Sequence, residues 1–476
     1  MDKKFYITAS IPYVNAKPHI GHALEFVQTN VIARYHKYLG EDTISLSGGD
    51  ENALKNVQAA QEANKPIQEF VDENTNAFFD LAEKLNTKFD IWQKGSDQKN
   101  HFPSVQKLWN LCLENGDIYK EKYEGLYCLG CEAYYQTNEL DKNGECFEHP
   151  GKKLQKVSEE NYFFKLSKYQ KELIELIKSN KLEIIPDFRK NEVLSFLKEP
   201  LRDISISRSN ERAKNWGVPV PNDQTQRIYV WFDALNIYQS GIGFGWDEKK
   251  YNKYWPADVH VIGKGITRFH SVYWPAFLLS AKLSLPKTIF VHGYLTVDGQ
   301  KISKTVGNVV DPIPLIEKYG CDATRYYLLA KVSPFGDGDF SEEKLKNSYN
   351  SDLANGLGNL LARVSKLVEN NNLEFKLNSS GYKVSKNILS LLAVFKFDEA
   401  LNEIFSKLKK IDKEINKKEP WKLSGKELQD ILYPWIKEIR TISQELKIFL
   451  PETAEKIEKQ FLSEKIKSTK PLFPRI

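Results

Sequence analysis

Strand-like and helix-like patterns of apolar residues alternate in the first quarter of the chain. A short apolar run begins at Ile7, and a helix pattern follows, with apolar residues three or four positions apart at Leu24, Val27, Val31, Tyr35 and Leu39. Gly40 ends this pattern, and a second strand-like run over residues 42–50 leads into further helical stretches up to about residue 115. Strands that alternate with helices in this way predict a parallel sheet covered by helices.

The alternation stops and then returns further along the chain. It is lost between residues 116 and 199 and resumes over residues 200–340. Beyond Ser341 almost the whole sequence has a helix pattern, and the clearest stretches are residues 344–369, 385–410 and 424–445. We therefore predict four segments: an α/β domain in two halves, residues 1–115 and 200–340, an insertion over 116–199, and an all-helical bundle over 341–476.

The composition is that of a folded protein outside the membrane. The chain has 476 residues, enough for about two to four domains, and no apolar run has the length of a membrane span. The first residues carry no secretory signal pattern, and five cysteines, an odd number, argue against a disulfide framework. We therefore expect a cytoplasmic protein with no membrane partner.

Charge is distributed unevenly along the chain. The net charge is +5, and residues 341–476 hold 25 Lys and Arg against 19 Asp and Glu, which leaves −1 for the first 340 residues. A basic helical segment suits the phosphate backbone of a nucleic acid, although a solvated helix surface has the same composition. Trp421 follows the lysine-rich residues 413–418. Its indole could therefore stack on an unpaired base or anchor the core of the bundle.

The start of the first helix carries a candidate phosphate site. His19, Gly21 and His22 follow Pro18, a residue well tolerated at a helix start. Unpaired backbone N–H groups and the helix dipole favour an anion such as phosphate there. Gly21 has no Cβ and would admit a flat ring close to the backbone, and the imidazoles could donate to phosphate oxygens. Histidines in this position can equally be helix caps or members of a local hydrogen-bond network.

Two further motifs carry charged residues near strand ends. Asp50 follows a Ser-Gly-Gly turn after the second strand-like run, where the ligands of parallel sheets collect. Its carboxylate could hold a substrate ammonium group, or it could cap the next helix. Lys301 and Lys304 lie in a flexible loop after a later strand-like run. Their ammonium groups could contact a polyphosphate, although a solvated lysine pair is the commoner case for such a motif in isolation.

The insertion contains a metal-site pattern. Cys128-x2-Cys131 and Cys146-x2-His149 are two ligand pairs separated by 14 residues, which is the spacing of a tetrahedral zinc site. Because the protein would fill all four ligand positions, we predict one structural Zn²⁺ ion per chain. The remaining cysteines, Cys112 and Cys321, stand apart from this pattern, and we expect both to be buried as small apolar residues.

Taken together, these motifs resemble the methionyl-tRNA synthetase family of class I aminoacyl-tRNA synthetases. The resemblance rests on His-Ile-Gly-His at 19–22 and Lys-Ile-Ser-Lys-Thr at 301–305. It extends over nearly the whole chain through Ser10-Ile-Pro-Tyr13, Asp203-Ile-Ser-Ile-Ser-Arg208, and Val-Trp-Phe-Asp-Ala at 230–234. It implies a Rossmann-type catalytic domain with an inserted zinc-knuckle domain, followed by an all-α anticodon-binding domain.

The resemblance also implies a two-step reaction. The carboxylate of L-methionine would attack the α-phosphate of ATP, pyrophosphate would leave, and the methionyl group would then pass to the terminal adenosine of tRNA(Met). His19 and His22 would stabilise the transferring phosphate, and Lys301 and Lys304 the departing pyrophosphate with Mg²⁺. Gly21 and Arg208 would contact the nucleotide. Catalysis would consist of positioning and charge stabilisation, without a covalent enzyme intermediate.

Other site residues are implied by their match to family positions. Asp50 would hold the amino group of methionine. The pocket for the methionine side chain would be formed by Ile11, Tyr13, Trp231, Ala234, Leu235, Tyr238, Ile266 and His270. The positions that read the CAU anticodon match Asn359, Arg363 and Trp421.

The sequence departs from the usual family pattern at several positions. Ile302 and Thr305 stand where the lysine motif commonly has Met and Ser, and Asn52 replaces a common histidine. Lys264-Gly265 lacks an acidic residue that is found in some relatives. No additional tRNA-binding or dimerisation module is found, so we expect a monomer. The alternatives are another class I synthetase without an editing domain and, less favoured, a nucleotidylyltransferase, which would need neither the basic helical segment nor the lysine motif.

Overall fold

The computed structural model describes residues 3–128, 133–135, 140–146, 151, 153–302, 307–376 and 381–476, and for residues 123, 133, 134 and 301 it describes the backbone alone. The chain forms two compact units. We call the first the sheet unit; it comprises Met1–Pro18, Glu41–Asp80 and Phe89–Val291. The second, the helical unit, comprises His19–Gly40, Leu81–Lys88 and His292–Ile476.

Strands and helices alternate over the first 115 residues, as the apolar pattern predicts. In chain order they are β1 (Lys4–Ala9), α1 (Ile20–Tyr38), β2 (Asp42–Gly49), α2 (Leu54–Glu62), α3 (Ile67–Lys84), β3 (Ile91–Lys94) and α4 (His101–Glu114). The next segment contains longer strands and shorter helices. They are β4 (Ile118–Cys128), β5 (Ala133–Tyr135), β6 (Gln155–Phe164), α5 (Gln170–Lys178), β7 (Glu183–Ile185) and α6 (Asp187–Phe196).

Short strands and helices follow up to residue 340. They are β8 (Ile204–Ser205), β9 (Ser207–Ser209), α7 (Asn210–Ala213), β10 (Pro219–Val220), β11 (Asp223–Ile228), α8 (Val230–Ser240), α9 (Glu248–Tyr254), β12 (Val259–Gly263), α10 (Trp274–Ser280), β13 (Thr288–His292), β14 (Leu295–Val297), β15 (Gln300–Lys301), α11 (Pro312–Tyr319), α12 (Cys321–Ala330) and β16 (Gly338–Phe340).

A six-stranded sheet forms the centre of the sheet unit. Its strand order is β3-β2-β1-β12-β13-β7, and the pairs β3–β2, β2–β1, β1–β12 and β13–β7 are parallel. The predicted parallel sheet is therefore confirmed. Strand order reverses between β1 and β12, and in such sheets ligands bind outside the carboxyl ends of the strands at this point. The residues that follow β1, β2 and β12 lie at that edge.

Two features of the sheets differ from a simple repeat of strand and helix. β11 leads directly into a helix, yet it pairs in antiparallel fashion with β9 and β10 in a separate three-stranded sheet. β7 belongs to the segment predicted as an insertion, yet it is the edge strand of the parallel sheet. Pairing partners are chosen in three dimensions, so the local pattern of a short strand cannot identify them.

The helical unit ends in the predicted run of helices. They are α13 (Glu342–Ser348), a π-helix (Tyr349–Gly358), α14 (Asn359–Asn370), α15 (Lys386–Leu392), α16 (Phe397–Lys418), a 3₁₀ turn (Pro420–Lys422), α17 (Gly425–Phe449) and α18 (Pro451–Phe461). The helix pattern over 385–410 is broken between α15 and α16, where Phe395 adopts a φ of +60°. Among the described residues, no helix combines the length and the apolar character needed to cross a membrane.

Arg325 on α12 shows why distant segments share the helical unit. Its guanidinium is fully buried and donates to the backbone oxygens of Phe449 at 2.8 Å and Leu85 at 3.0 Å, and to Asn30 Oδ1 at 3.0 Å. Asn30 lies on α1, and Phe449 ends α17. A buried guanidinium is costly unless its N–H groups are hydrogen-bonded, so this side chain holds the three segments together.

Candidate active site

The two histidines at the start of α1 cap the helix. His19 is the N-cap residue, and its Nδ1 accepts a hydrogen bond from the Gly21 N–H at 3.1 Å. His22 Nδ1 accepts from the His19 N–H, also at 3.1 Å, which completes a capping box. The two rings lie with their centroids 3.9 Å apart and are tilted by 35°. The capping interpretation of these histidines is therefore confirmed.

Burial fixes the charge of the two rings, and capping fixes which nitrogen of each carries the proton. Burial lowers the pKa of His19 to about 4. Burial, followed by the charges of His19 and His292, lowers the pKa of His22 well below its ordinary value. Both imidazoles are therefore neutral at neutral pH. Because each Nδ1 accepts a hydrogen bond, each proton lies on Nε2, so the cap turns both rings into hydrogen-bond donors of fixed tautomer.

Gly21 is required by the geometry of this cap. A Cβ on residue 21 would lie 2.9 Å from His19 Cε1, a distance that real Cβ atoms essentially never show, and 3.0 Å from His19 Nδ1. Any larger residue would push the His19 ring away from the backbone N–H that it accepts from. The sequence suggested that a glycine at position 21 admits a flat ligand. The structure gives a second reason for glycine there, since the His19 ring needs the space beside its backbone.

The start of α1 is attached to the segments on both sides of the lysine motif. The Ile20 N–H donates to Val310 O at 3.0 Å, just after the motif. His292, before the motif, contacts Glu25 Oε2 through Nε2 at 2.9 Å and Gly293 O through Nδ1 at 2.8 Å. Of the motif itself, only the backbone of Lys301 in β15 and residue Ile302 are described, and Lys304 lies outside the described residues.

The predicted methionine-pocket residues of the sheet unit include a packed aromatic group. Trp231 stacks on Phe269 with ring centroids 3.6 Å apart, and Tyr13 meets Trp231 edge-on at 6.0 Å. His270 lies edge-on to Trp231 at 6.5 Å. The α8 residues and His270 are buried, whereas Ile11, Tyr13 and Ile266 are half-buried; the α8 residues are Trp231, Ala234, Leu235 and Tyr238. Apolar aromatic walls of this kind suit a thioether side chain.

Hydrogen bonds order the polar atoms of two residues in the predicted methionine pocket, Tyr238 and His270. Tyr238 Oη lies 2.8 Å from His270 Nε2, and His270 Nδ1 lies 3.0 Å from Ile266 O. A carbonyl can only accept, so His270 is protonated on Nδ1, and its Nε2 accepts a hydrogen bond from the Tyr238 hydroxyl. His260, which the sequence interpretation missed, is also buried here, with its ring 4.5 Å from that of Tyr238 and its Nδ1 2.7 Å from Thr8 Oγ1. Burial lowers its pKa well below the ordinary value.

Asp50 is held rigidly at the carboxyl end of β2. Its side chain is only 3% exposed, its N–H donates to Pro12 O at 2.9 Å, and its carbonyl accepts from Asn56 Nδ2 at 2.8 Å. The alternative that Asp50 caps the next helix is wrong, because α2 begins at Leu54 and Ala53 is its N-cap. The Asp50 carboxylate therefore does not cap α2.

Arg208 is buried within the sheet unit. Its Nη1 donates to Ser207 O at 2.7 Å and to Ser205 Oγ at 3.0 Å. The guanidinium carbon lies 4.5 Å from the centroid of the Tyr229 ring and 5.3 Å from that of Tyr127. Any contact of Arg208 with a nucleotide would thus be made by a side chain already fixed by the protein.

The cysteines fall into two groups. Cys128 and Cys146, from the predicted zinc site, are both buried, whereas Cys131 and His149 lie outside the described residues. Within the described ranges, no three His, Cys, Asp or Glu residues are grouped so that they could hold a metal ion. Cys112 and Cys321 are buried, as predicted, and burial raises the pKa of each thiol to about 12.

The three residues matched to anticodon contacts differ in their surroundings. Asn359 begins α14 and is exposed. Arg363, one turn later, donates from Nη1 to Asp412 Oδ1 at 2.6 Å and from Nη2 to Asn416 Oδ1 at 2.9 Å, both on α16. Trp421 lies in the 3₁₀ turn after α16 and is 55% exposed, so its interpretation as a core anchor is wrong.

Comparisons with known proteins point in one direction. A family model described as tRNA synthetases class I (M) matches residues 5–365. The methionine–tRNA ligases of Thermotoga maritima and Brucella suis are 41% and 40% identical to this chain over 473 and 474 residues, which is 95% and 96% of this chain and 74% and 91% of theirs. The structure of Mycobacterium tuberculosis methionyl-tRNA synthetase in complex with methionyl-adenylate has a TM-score of 0.92 and 34% identity, and the match covers 99% of this chain and 100% of that one.

Proposed function

This chain belongs to the class I tRNA synthetases of the methionine type, and from that premise we propose that it is a methionine–tRNA ligase. It activates L-methionine with ATP to methionyl-adenylate and transfers the methionyl group to tRNA(Met). The observation that carries this conclusion is the match of 99% of the chain to a synthetase solved with methionyl-adenylate. The test is amino-acid-dependent exchange of pyrophosphate into ATP.

We propose that a carboxylate recognises the ammonium group of methionine and that an apolar pocket recognises its side chain. Asp50 would accept the ammonium group, since its carboxylate is buried and its backbone is fixed on both sides. Aromatic and aliphatic side chains would enclose the thioether, which offers only a weak acceptor to recognise. They are Ile11, Tyr13, Trp231, Ala234, Leu235, Tyr238, Ile266 and His270. The packing of Trp231 on Phe269 and Tyr13 supports this assignment.

We propose that ATP is activated by charge stabilisation alone. His19 and His22 would donate from Nε2 to the α-phosphate oxygens, whose charge grows when the carboxylate attacks. The capping box supports this role, because it leaves those nitrogens protonated on neutral rings. Lys301 and Lys304 would neutralise the departing pyrophosphate together with the Mg²⁺ that accompanies ATP, and Gly21 and Arg208 would contact the nucleotide.

We propose that the helical unit reads the CAU anticodon through Asn359, Arg363 and Trp421. The hydrogen bonds of the Arg363 guanidinium to Asp412 and Asn416 support this role. They fix the orientation of the guanidinium in the absence of tRNA, which lowers the conformational entropy lost when a base binds. Trp421 offers an exposed indole on which a base can stack.

Trp421→Ala is expected to lower the rate of tRNA charging at limiting tRNA by about tenfold, because stacking of one base on an aromatic side chain contributes about 1–3 kcal/mol. Pyrophosphate exchange without tRNA should stay at the wild-type rate, since the substitution removes only a tRNA contact. Charging and exchange are measured on the same preparation. Tyr433→Ala is a matched control, because Tyr433 is a 47% exposed aromatic residue of the same unit. Equal loss in both assays for Trp421→Ala, or equal loss of charging in the control, would refute the assignment.

We propose that Cys128, Cys131, Cys146 and His149 hold one structural Zn²⁺ ion. The intact ligand pattern and the burial of Cys128 and Cys146 support the site, since thiolate sulfurs suit a soft metal. A bound zinc ion would cross-link the segment between β4 and β6.

Elemental analysis of the purified protein is expected to give one zinc per chain. Cys146→Ser should lower the zinc content to near zero and make the segment between β4 and β6 more susceptible to proteolysis, because metal binding contributes directly to the folding of small zinc sites. Cys112→Ser is the control, because Cys112 lies outside the pattern and should leave one zinc bound. A wild-type protein purified without chelator that contains no zinc would contradict the proposal.

We also propose, from the sequence, a cytoplasmic location and a monomeric state. Light scattering on the purified protein tests the monomeric state. A mass near 54.9 kDa is expected for a monomer, and a mass twice as large would show a dimer.

A further inference from the structure

A buried hydrogen-bond network in the sheet unit centres on Asp233. One carboxylate oxygen, Oδ1, lies 2.5 Å from His101 Nε2, and the other, Oδ2, accepts from Asn52 Nδ2 at 2.7 Å. His101 continues through Nδ1 to Ser240 Oγ at 2.7 Å. Asp233 is 1% exposed and His101 is fully buried. Both oxygens of a carboxylate removed from water thus have a hydrogen-bond partner, as such a group requires.

The network joins helices α8 and α4 to the segment that follows β2. Asp233 lies on α8, and His101 is the first residue of α4. Asn52 lies two residues after Asp50, and its Nδ2 also donates to Gly95 O at 2.7 Å, just after β3. An amide nitrogen carries two hydrogens, so Asn52 satisfies two acceptors at once.

The same elements carry the residues proposed to bind methionine. Within α8, Asp233 is flanked by Trp231, Ala234 and Leu235. The segment of Asn52 carries Asp50. A shift of α8 relative to the segment of Asp50 and Asn52 would therefore change the distance between two proposed methionine contacts. These are the Asp50 carboxylate, which would bind the ammonium group, and the α8 side chains, which would enclose the thioether.

We propose that Asp233, with Asn52 and His101, is a positioning residue for methionine: it sets the placement of the Asp50 segment relative to the aromatic wall of α8. This inference rests on the proposed function. Asp233 is not one of the residues proposed to contact methionine, and it acts through its neighbours His101 and Asn52. Misplacement of a binding group by about 1 Å can lower activity by about a hundredfold.

Asp233→Asn tests this role, because it keeps the size of the side chain but places an N–H₂ group opposite His101 or Asn52. In pyrophosphate exchange with each substrate varied separately, the KM for methionine is expected to rise by about tenfold to a hundredfold, with a much smaller change in the KM for ATP. Asn52→Ala removes only a neutral amide at the other end of the network, so it is expected to shift the methionine KM in the same direction even if Asp233→Asn fails to fold.

Asp117→Asn is the matched control. Asp117 is also 1% exposed and also bonded on both sides, by Lys168 at 2.7 Å and Ser280 at 2.8 Å, but it is not part of this network. It should lower the melting temperature without changing the methionine KM. If Asp233→Asn and Asn52→Ala lower the melting temperature as the control does and leave the ratio of the two KM values unchanged, the network is only part of the core and the inference is overturned. Failure of the proposed function gives a different result, a wild-type protein without methionine-dependent exchange, which removes the basis of the inference as well.

Discussion

Asp50→Asn is expected to lower kcat/KM for methionine by about a hundredfold or more, because removal of one partner from a buried charge pair costs about 3–5 kcal/mol. Asp50 is only 3% exposed, so water could not replace its carboxylate as the proposed partner of the ammonium group. The backbone of residue 50 is held by Pro12 and Asn56, so the substitution should change the charge without moving the chain. Pyrophosphate exchange with varied methionine measures the effect.

Glu51→Gln is the matched control for Asp50→Asn. Glu51 is the next residue and is also buried, but its carboxylate is bonded to Thr75 Oγ1 at 2.6 Å and to the Ser96 N–H at 2.9 Å. Burial raises the pKa of Glu51, so the protein already disfavours its charge, and a neutral amide should be tolerated. Methionine kinetics close to wild type are expected for this control. An Asp50→Asn enzyme with wild-type kinetics would show that another group binds the ammonium.

Gly21→Ala is expected to lower kcat/KM for ATP by about a hundredfold, because displacement of a catalytic group by about 1 Å has an effect of this size. The new methyl group would lie 2.9 Å from His19 Cε1, so the ring must rotate and give up the Gly21 N–H. Once the cap is lost, neither the tautomer nor the direction of the His19 imidazole is fixed. The loss of one cap costs only about 1 kcal/mol of stability, so folding should survive. Exchange kinetics with varied ATP, together with a melting curve, separate the two effects.

Gly40→Ala, at the other end of the same helix, is a control that is expected to change stability but not ATP kinetics. Gly40 has a φ of +81°, and in the described part of the chain no atom beyond its own neighbours lies within 4 Å of the place that a methyl group would take. Alanine there is strained but meets no other residue. It should lower the melting temperature and leave the KM for ATP unchanged. If Gly21→Ala behaves like Gly40→Ala, the glycine is needed only for the helix and the histidine geometry does not control ATP activation.

The sequence predicted those parts of the fold that local patterns determine. The helix that begins after His19 follows from its apolar period of 3.6 residues, and the parallel pairing of β1 and β2 follows from the alternation of strands and helices along the chain. The sheet to which β11 belongs and the break at Phe395 could not be predicted. The first depends on which strands meet in three dimensions, and the second on a backbone conformation that phenylalanine rarely adopts.

The site shows the same division. His19, His22 and Asp50 could be proposed as site residues from the sequence, because each lies in a short motif whose residue types suit the chemistry. The network of Asn52, Asp233 and His101 spans 181 residues from Asn52 to Asp233, and no local pattern marks it. The capping of the helix through Nδ1 of both histidines also needed the structure, since a sequence cannot show which ring nitrogen is occupied.

The most direct test of the account is pyrophosphate exchange into ATP with the wild-type protein, run in parallel for each of the twenty amino acids in the absence of tRNA. We expect exchange that depends on L-methionine and falls to background with leucine, isoleucine, valine and cysteine, because the proposed pocket combines a buried carboxylate with an apolar aromatic wall. Exchange supported best by another amino acid, or by none, would contradict the assignment of this chain as a methionine–tRNA ligase.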